Sequence, residues 1–310
     1  MLCFAISKDS IRHARIEDEN FSWQNIKYIE KTSLPFELSP RNIETMINQF
    51  GNILESIIPE ERIANEEVLL SLPVEMGSYK IYPIEEKVDE EILPQYLEFC
   101  EEKRLGKRYK DSLVQFYPLE ENRFLAISFP KRLISSIAET ISKTGLKLRL
   151  VDINFISSLY GVEKIYNTTS LSSWALSLVC DAFQMVALMK GSNIISLTSF
   201  TLMEGGSYKI LSKSNHNEEM VSLIEELDRV RFSPTDKLRT VEKFYVYSYD
   251  TYSDYFNIFL TYRVANIEVV DPFIKFKPLR LYKGDGDGAG AMSQFTDVVG
   301  LLYRFYYGEL

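Results

Sequence analysis

Histidine occurs only twice in the 310 residues, as His13 and His216, and cysteine three times, as Cys3, Cys100 and Cys180. Neither set has the close Cys/His spacing of a zinc or iron centre, so no metal site is expected. Three scattered thiols make no disulfide framework. They suit a reducing compartment, where each acts as a small apolar side chain. Positive charge is short as well, with 35 Lys and Arg against 44 Asp and Glu and a net charge of −9. No basic stripe with interleaved aromatics offsets this balance, which argues against nucleic acid as a partner and against charge-driven binding to anionic membranes. Long apolar runs are missing too. No window reaches about 18 uninterrupted apolar residues, and the N-terminus lacks a basic region followed by an apolar stretch. A cytoplasmic protein is expected.

What is present is the composition of a well-buried globular chain, with 45% apolar, 25% charged and 13% aromatic residues. The length accommodates two domains. The stretch 174–206 holds three extended runs, at 176–179, 185–189 and 194–200, with Lys190-Gly191-Ser192-Asn193 as a turn. That predicts a β-meander near the middle of the chain. The N-terminus opens in a similar way, with a strand at 2–7, a polar turn at Lys8-Asp9-Ser10 and a second strand at Ser10–Ile16. Two such openings, one per half, predict a duplicated two-lobe α/β architecture.

Other elements follow in order. A third strand is predicted at 26–29. A helix over 40–57 carries apolar residues at helical spacing, with Ser39 as N-cap and Pro40 in its first turn. A buried strand follows at Glu67–Leu72 and stops at Pro73. Residues 77–150 read as a smaller inserted unit. It comprises a charged helix over 88–107 with Ile92, Tyr96, Leu97 and Cys100 on one face, strands at 112–118 and 123–129, a helix over 131–144 ended by Gly145, and a strand at 146–151. A helix over 155–165 is expected against the main sheet. In the second half, helices are predicted over 217–231 and 253–262 and strands at 243–248 and 267–270, before a closing helix over 293–306. Glu218, Glu219, Glu225 and Glu226 read as a solvated face. The run GDGDGAG at 284–290 begins like a calcium loop, but Ala289 and Thr296 stand where ligands belong, so it reads as a flexible linker. No catalytic constellation stands out on chemistry alone.

This order of elements resembles the actin-like ATPase superfamily and, within it, the type IV pilus assembly protein PilM family, a relative of FtsA. EEILPQYLEFCEEKRL at 90–105 stands where that family has a helix of the EAEQYIPF type. RFLAISFPKRLISSIAETISKTGLKLRLVDINFISSLYG at 123–161 follows the family pattern, with Pro130-Lys131, Gly145 and Val151-Asp152 in step. Met203-Glu204-Gly205-Gly206, Val270-Asp271-Pro272-Phe273 and VVGLLYR at 298–304 match three further family signatures. The resemblance implies a ribonuclease-H-like duplicated fold with a small αβ subdomain inserted in the first lobe. It divides the chain into a first lobe at 1–172 (insert at about 77–150), a second lobe at 173–294, and a C-terminal helix at 295–310 that returns to the first lobe.

The departures from the family decide the functional expectation. Nucleotide-binding members close two glycine-containing β-hairpins on the phosphates, with an acidic residue in each. The first loop, D-x-G-S-S in the family, is matched here by Ala5, Ile6, Ser7, Lys8 and Asp9. The second, D-I-G, is matched by Ser177, Leu178 and Val179, with Asp181 nearby but displaced along the strand by roughly 6–7 Å. The glycine cluster of the adenosine pocket is matched by Tyr247, Ser248, Tyr249 and Asp250. Lys8 and Arg12 read as solubility residues. The expectation is a pseudo-ATPase with no catalytic residues, no cofactor and no metal, whose partner is the N-terminal tail of a PilN-like membrane protein, bound between the first lobe and the insert. Homo-oligomerisation stays open. The competing readings are an ATPase that uses Lys8, Ser10 and Asp181, and a sugar-kinase-like enzyme of the same superfold.

Overall fold

The structure is a computed structural model, and it describes residues 1–16, 26–34, 43–57, 66–84, 88–180, 183–203, 207–234, 237–249, 253–262, 264–275 and 289–308, without the side chains of Met46, Ile57 and Ala289. Ser39, Pro40, Asp181, residues 204–206, Asp250 and residues 284–288 therefore lie outside the described residues.

Strands β1 (Leu2–Ile6), β2 (Ser10–Ile16) and β3 (Ile26–Ser33) form an antiparallel meander, and α1 (Ile43–Ile57) leads to β4 (Glu67–Leu72). Strand β4 lies parallel to β1. Beyond it, β8 (Lys147–Ile153) completes a five-stranded sheet of order β3-β2-β1-β4-β8. The strand predicted at 146–151 thus belongs to the main sheet and not to the insert. Its partner β4 lies some 80 residues earlier in the chain, and local periodicity carries no information about such a pairing.

The second half repeats this plan. Strands β9 (Trp174–Val179), β10 (Gln184–Lys190) and β11 (Asn193–Met203) form the meander, and β13 (Lys243–Tyr247) and β14 (Ile267–Val269) add in parallel. One further strand, β12 (Ser207–Lys213), extends the outer edge, giving the order β12-β11-β10-β9-β13-β14. Without β12, both sheets follow one scheme, a meander followed by two parallel strands beside its first. A third sheet, β5-β7-β6, is built from β5 (Ser78–Pro83), β6 (Ser112–Leu119) and β7 (Arg123–Pro130), with helices α2 (Leu93–Leu105) and α3 (Lys131–Lys143) in the same segment. The periodicity signal found β6 and β7 around the Glu120–Asn122 turn but missed β5 and β12, whose Lys, Ser and Tyr content reads as loop.

Alternation along the strands assigns each face to a core. On β1, Leu2, Phe4 and Ile6 pack with Phe50 and Leu54 of α1, while Cys3 and Ala5 face the last helix, α8 (Thr296–Tyr307), which follows the short α7 (Ala289–Ser293). On β9, Trp174, Leu176 and Leu178 join the core shared with the first lobe, and Ala175 and Val179 face α5 (Glu218–Phe232) and α6 (Asp254–Thr261). Central strands covered on both faces read as continuous apolar runs, which is why these two were legible in the sequence. Helix α5 is started by Asn217, whose side chain accepts the Met220 N–H at 2.8 Å. Glu218 and Glu219 lie in its first turn and Arg229 and Arg231 in the last, which complements the helix dipole.

Helix α4 (Asn154–Tyr166) leaves the first sheet and leads toward the second, and α8 crosses it at two glycines. A Cβ on Gly300 would stand 2.0 Å from the Ser157 carbonyl oxygen, and one on Gly161 2.7 Å from the Gly300 Cα. Two backbones approach this closely only where both helices lack a side chain.

Helix α2 differs from its prediction. It is shorter, starting beside Pro94 and stopping at Gly106, which has φ +58°. Its inward face is Leu97, Glu101 and Leu105, while Ile92 and Tyr96 are exposed. Glu101 occupies an apolar position because Arg104 forks onto it (Nε to Oε1, 2.9 Å; Nη2 to Oε2, 2.7 Å) and also donates to Ser78. Glu226 is likewise buried rather than solvated, since its Oε2 accepts the backbone N–H groups of Arg239 and Thr240.

Candidate functional site

The β1–β2 turn, the end of β9, the end of β13 and the first turn of α8 converge between the lobes. In the turn, Ser7 N–H donates to the Ser10 carbonyl at 2.8 Å, and the Ser7 and Ser10 hydroxyls are 2.8 Å apart. Ser10 Oγ donates to Asp9 Oδ1 at 3.0 Å. Ala5 is fully buried and Ser7 nearly so. The tip's polar groups thus bond to one another.

Arg12 is not a surface base. Its side chain is fully buried and reaches from β2 to α8, where Nε and Nη2 donate to Asp297 Oδ1 and Oδ2 at 3.2 and 2.6 Å. Nη1 donates to Ser7 Oγ at 3.0 Å, and the guanidinium carbon lies 3.9 Å from the centre of the Tyr249 ring. Asp297 Oδ1 also accepts the Val298 N–H at 2.8 Å, so the carboxylate satisfies one first-turn N–H of α8 while holding Arg12. Burial pushes the Asp297 carboxyl up, and the Arg12 charge and its hydrogen bonds pull it back.

Tyr249 and Tyr247, which follow from β13, fill the rest of the space. Both are buried, and their rings meet edge-on at 5.7 Å. Tyr247 stacks on Phe155 of α4 at 6.4 Å. Ser248 Oγ donates to the Val179 carbonyl at 2.6 Å, and Lys31 Nζ to the Tyr249 carbonyl at 3.0 Å. Burial pushes both phenols well up, so they stay neutral. Ser177 and Val179 on β9 are core residues, with Ser177 paired across to Val186 and Val246. Of the sequence-matched loop residues, Ser7, Val179, Tyr247, Ser248 and Tyr249 are drawn into this cluster. Ala5 and Ser177 are sealed in the strands.

A second feature lies at the open edges of two sheets. Strand β6 ends the three-stranded sheet and β8 ends the main sheet. Between them runs a groove of about 80 Å³, with Leu113, Tyr117, Phe129, Ile134 and Val151 among its lining residues and Asp152 at its polar end. Asp152 accepts from Arg304 Nη1 at 3.0 Å and from Ser157 Oγ at 2.6 Å, and Arg304 lies over the Tyr117 ring at 5.5 Å. Burial pushes the Asp152 carboxyl up, against the pull of Arg304. Across from β6, Pro130 pairs with Ser112 and Pro118 with Phe124. Neither proline nitrogen can donate to the ladder, so by alternation the even-numbered residues of β6 turn their backbone groups to the open edge. Val114 and Phe116 therefore offer N–H and C=O groups there. Sequence reasoning named no groove residue. The alternation of Leu113, Gln115 and Tyr117 on one strand face was the available signal.

Among the described residues, no cluster of three or more His, Cys, Asp and Glu side chains could hold a metal, and no helix is long and apolar enough to cross a membrane.

Topology and site together define the class: the chain has a two-lobe, ribonuclease-H-like duplicated actin-like ATPase fold, with a small αβ subdomain inserted in the first lobe. One similar solved structure is the PilM–PilN type IV pilus biogenesis complex, 12% identical over 98% of each chain with a TM-score of 0.66. Others are a Bacteroides thetaiotaomicron protein of actin-like ATPase fold and unknown function (13% identity, 87% of this chain and 90% of that one, TM-score 0.46) and the cytoplasmic domain of EpsL, an inner-membrane component of the Vibrio cholerae type II secretion system (8%, 96% and 94%, 0.47). No family model and no curated protein matches the sequence.

Proposed function

We propose that this protein is a PilM-like pseudo-ATPase scaffold. It works in the cytoplasm at an inner-membrane assembly platform of the type IV pilus or type II secretion kind, where it binds the N-terminal tail of a PilN-like membrane protein. The observation that carries this reading is the occupied space between the lobes. Arg12, Asp297, Tyr247 and Tyr249 fill the region that the hairpins would otherwise close around phosphates. A guanidinium and two rings occupy that region, and neither matched acidic position, Ala5 or Ser177, carries a carboxylate to organise a metal. With hydrolysis gone, the rigid two-lobe body remains as a binding platform.

The tail's docking place in this reading is the groove between β6 and β8. An extended segment adds to the β6 edge through the backbone groups of Val114 and Phe116, with alternate side chains entering the apolar floor near Leu113 and Ile134. The experiment is site-specific photocrosslinking from Leu113 in native membranes, with a photoreactive phenylalanine also placed at exposed Lys209 on β12 as control. The expected product is an adduct from position 113 to the N-terminal segment of a membrane-anchored protein. Adducts equal at both positions, or none from position 113, would sink the groove assignment.

A further inference from the structure

At the entry end of β13, opposite the end that leads to Tyr247 and Tyr249, lies a pocket of about 150 Å³ lined by Glu226, Arg229, Val230, Lys237, Leu238 and Arg239. Half of these residues are cations, in a chain whose net charge is −9. Among the described residues, Lys237 and Arg239 form no ion pair, and Arg229 only approaches Glu226 Oε1, at 3.9 Å. Glu226 offsets one of the three positive charges, while its other oxygen accepts the N–H groups of Arg239 and Thr240 at 2.9 and 3.1 Å, so the lining keeps an excess of positive charge.

The backbone that presents these cations is fixed from two sides. Glu226 holds 239–240 from α5. Asn266 holds 238–241 from the loop before β14, accepting from Leu238 N–H at 3.1 Å and donating to the Leu238 and Val241 carbonyls at 2.9 Å. A concave site with two unpaired cations on an anchored loop, and a third on the facing helix, is complementary to a compact anion with several acceptor oxygens. Arginine's fork and lysine's point charge both suit a phosphoryl group. The volume is below the roughly 300 Å³ at which drug-sized ligand pockets begin, so it fits one phosphate group and not a nucleotide.

We infer that this pocket binds a single phosphate-bearing group, carried by a free phosphate or by a phospholipid headgroup. The inference stands apart from the scaffold reading, because the pocket and the inter-lobe cluster share no residue.

The test is calorimetric titration of the full chain with inorganic phosphate, alongside cosedimentation with phosphatidylcholine vesicles with and without phosphatidylglycerol. The wild type should bind at least one probe saturably, and added salt should weaken binding. The Lys237→Gln/Arg239→Gln variant should bind at least about tenfold more weakly, since hydrogen bonds to charged groups contribute on the scale of a factor of ten each. A Lys209→Gln/Lys213→Gln variant on β12, with the same change in net charge, should bind as the wild type does. Glu226→Gln keeps an acceptor for the anchored N–H groups and removes the only acid among the described lining residues, so it should tighten binding. Phosphate binding identifies a soluble ligand, and vesicle binding without it a headgroup. Binding of neither probe, equal weakening by both double variants, or unchanged affinity in Glu226→Gln overturns the inference.

Discussion

Replacing Asp297 with asparagine keeps the shape of the side chain and removes only its charge. The guanidinium of Arg12 is then left fully buried against Tyr249 and the Ser7 hydroxyl, with only the more distant Asp9 and Glu75 carboxyls to balance its charge. Breaking a buried pair by removing one partner costs about 3–5 kcal/mol, because the remaining charge stays desolvated. For 310 residues the unfolding entropy is about 0.65 kcal/mol/K, so the melting temperature should fall by roughly 5–8 °C. The apolar double replacement Arg12→Met/Asp297→Leu should recover most of that loss, since it removes both charges together. Differential scanning calorimetry of the wild type, Asp297→Asn, the single variants Arg12→Met and Asp297→Leu, and the double variant gives the coupling directly. A shift under about 1 °C in Asp297→Asn, or a double variant whose loss equals the sum of the singles, would refute the claim that this pair is one buried unit.

Two further outcomes follow from particular contacts. Gly300→Ala sets a Cβ 2.0 Å from the Ser157 carbonyl oxygen, so α4 and α8 must separate; the urea midpoint should fall by an amount worth at least about 1–3 kcal/mol, and an unchanged midpoint would contradict the crossing. His13 is buried beside Phe4 and Tyr28, and burial lowers its pKa to about 4. Its unfolded value is near 6.5, so the neutral ring's contribution is complete above that pH. It is lost as pH falls from about 6.5 to 4, by up to roughly 3 kcal/mol. His13→Leu should remove this component from urea midpoints measured at pH 7.5 and 4.5, and identical pH slopes in the two proteins would contradict it.

How much of this was legible in the sequence depends on the range of the information. Strands β1 and β9 declare themselves because both faces are buried, and α5 because Asn217, its acids and its arginines punctuate it. The burial of charge was hidden. Arg12 looks like any surface base until Asp297, 285 positions later, arrives beside it on α8. Glu226 likewise reads as a solvated acid, and nothing marks Glu101 as buried, because a backbone N–H pair and an i,i+3 arginine leave no trace in hydropathy. The departure of the hairpin residues from the glycine and acid of nucleotide-binding members was readable only against the family resemblance, and what fills the space was not readable at all. Strand β5 is defined by pairing with β7 across 40 to 50 residues, and its alternating Tyr, Ile and Lys only weakly suggest a strand.

The most direct test of the central claim is a thermal-shift titration of the intact chain with Mg·ATP and Mg·ADP, with magnesium triphosphate as the control for any phosphate site. A ligand at about 100 times its dissociation constant stabilises by about 2.7 kcal/mol, which corresponds here to roughly 4 °C. The inter-lobe cluster of Arg12, Asp297, Tyr247 and Tyr249 predicts no shift beyond that of triphosphate. A saturable, adenosine-dependent shift of several degrees would contradict it and return the chain to the nucleotide-binding members of its fold.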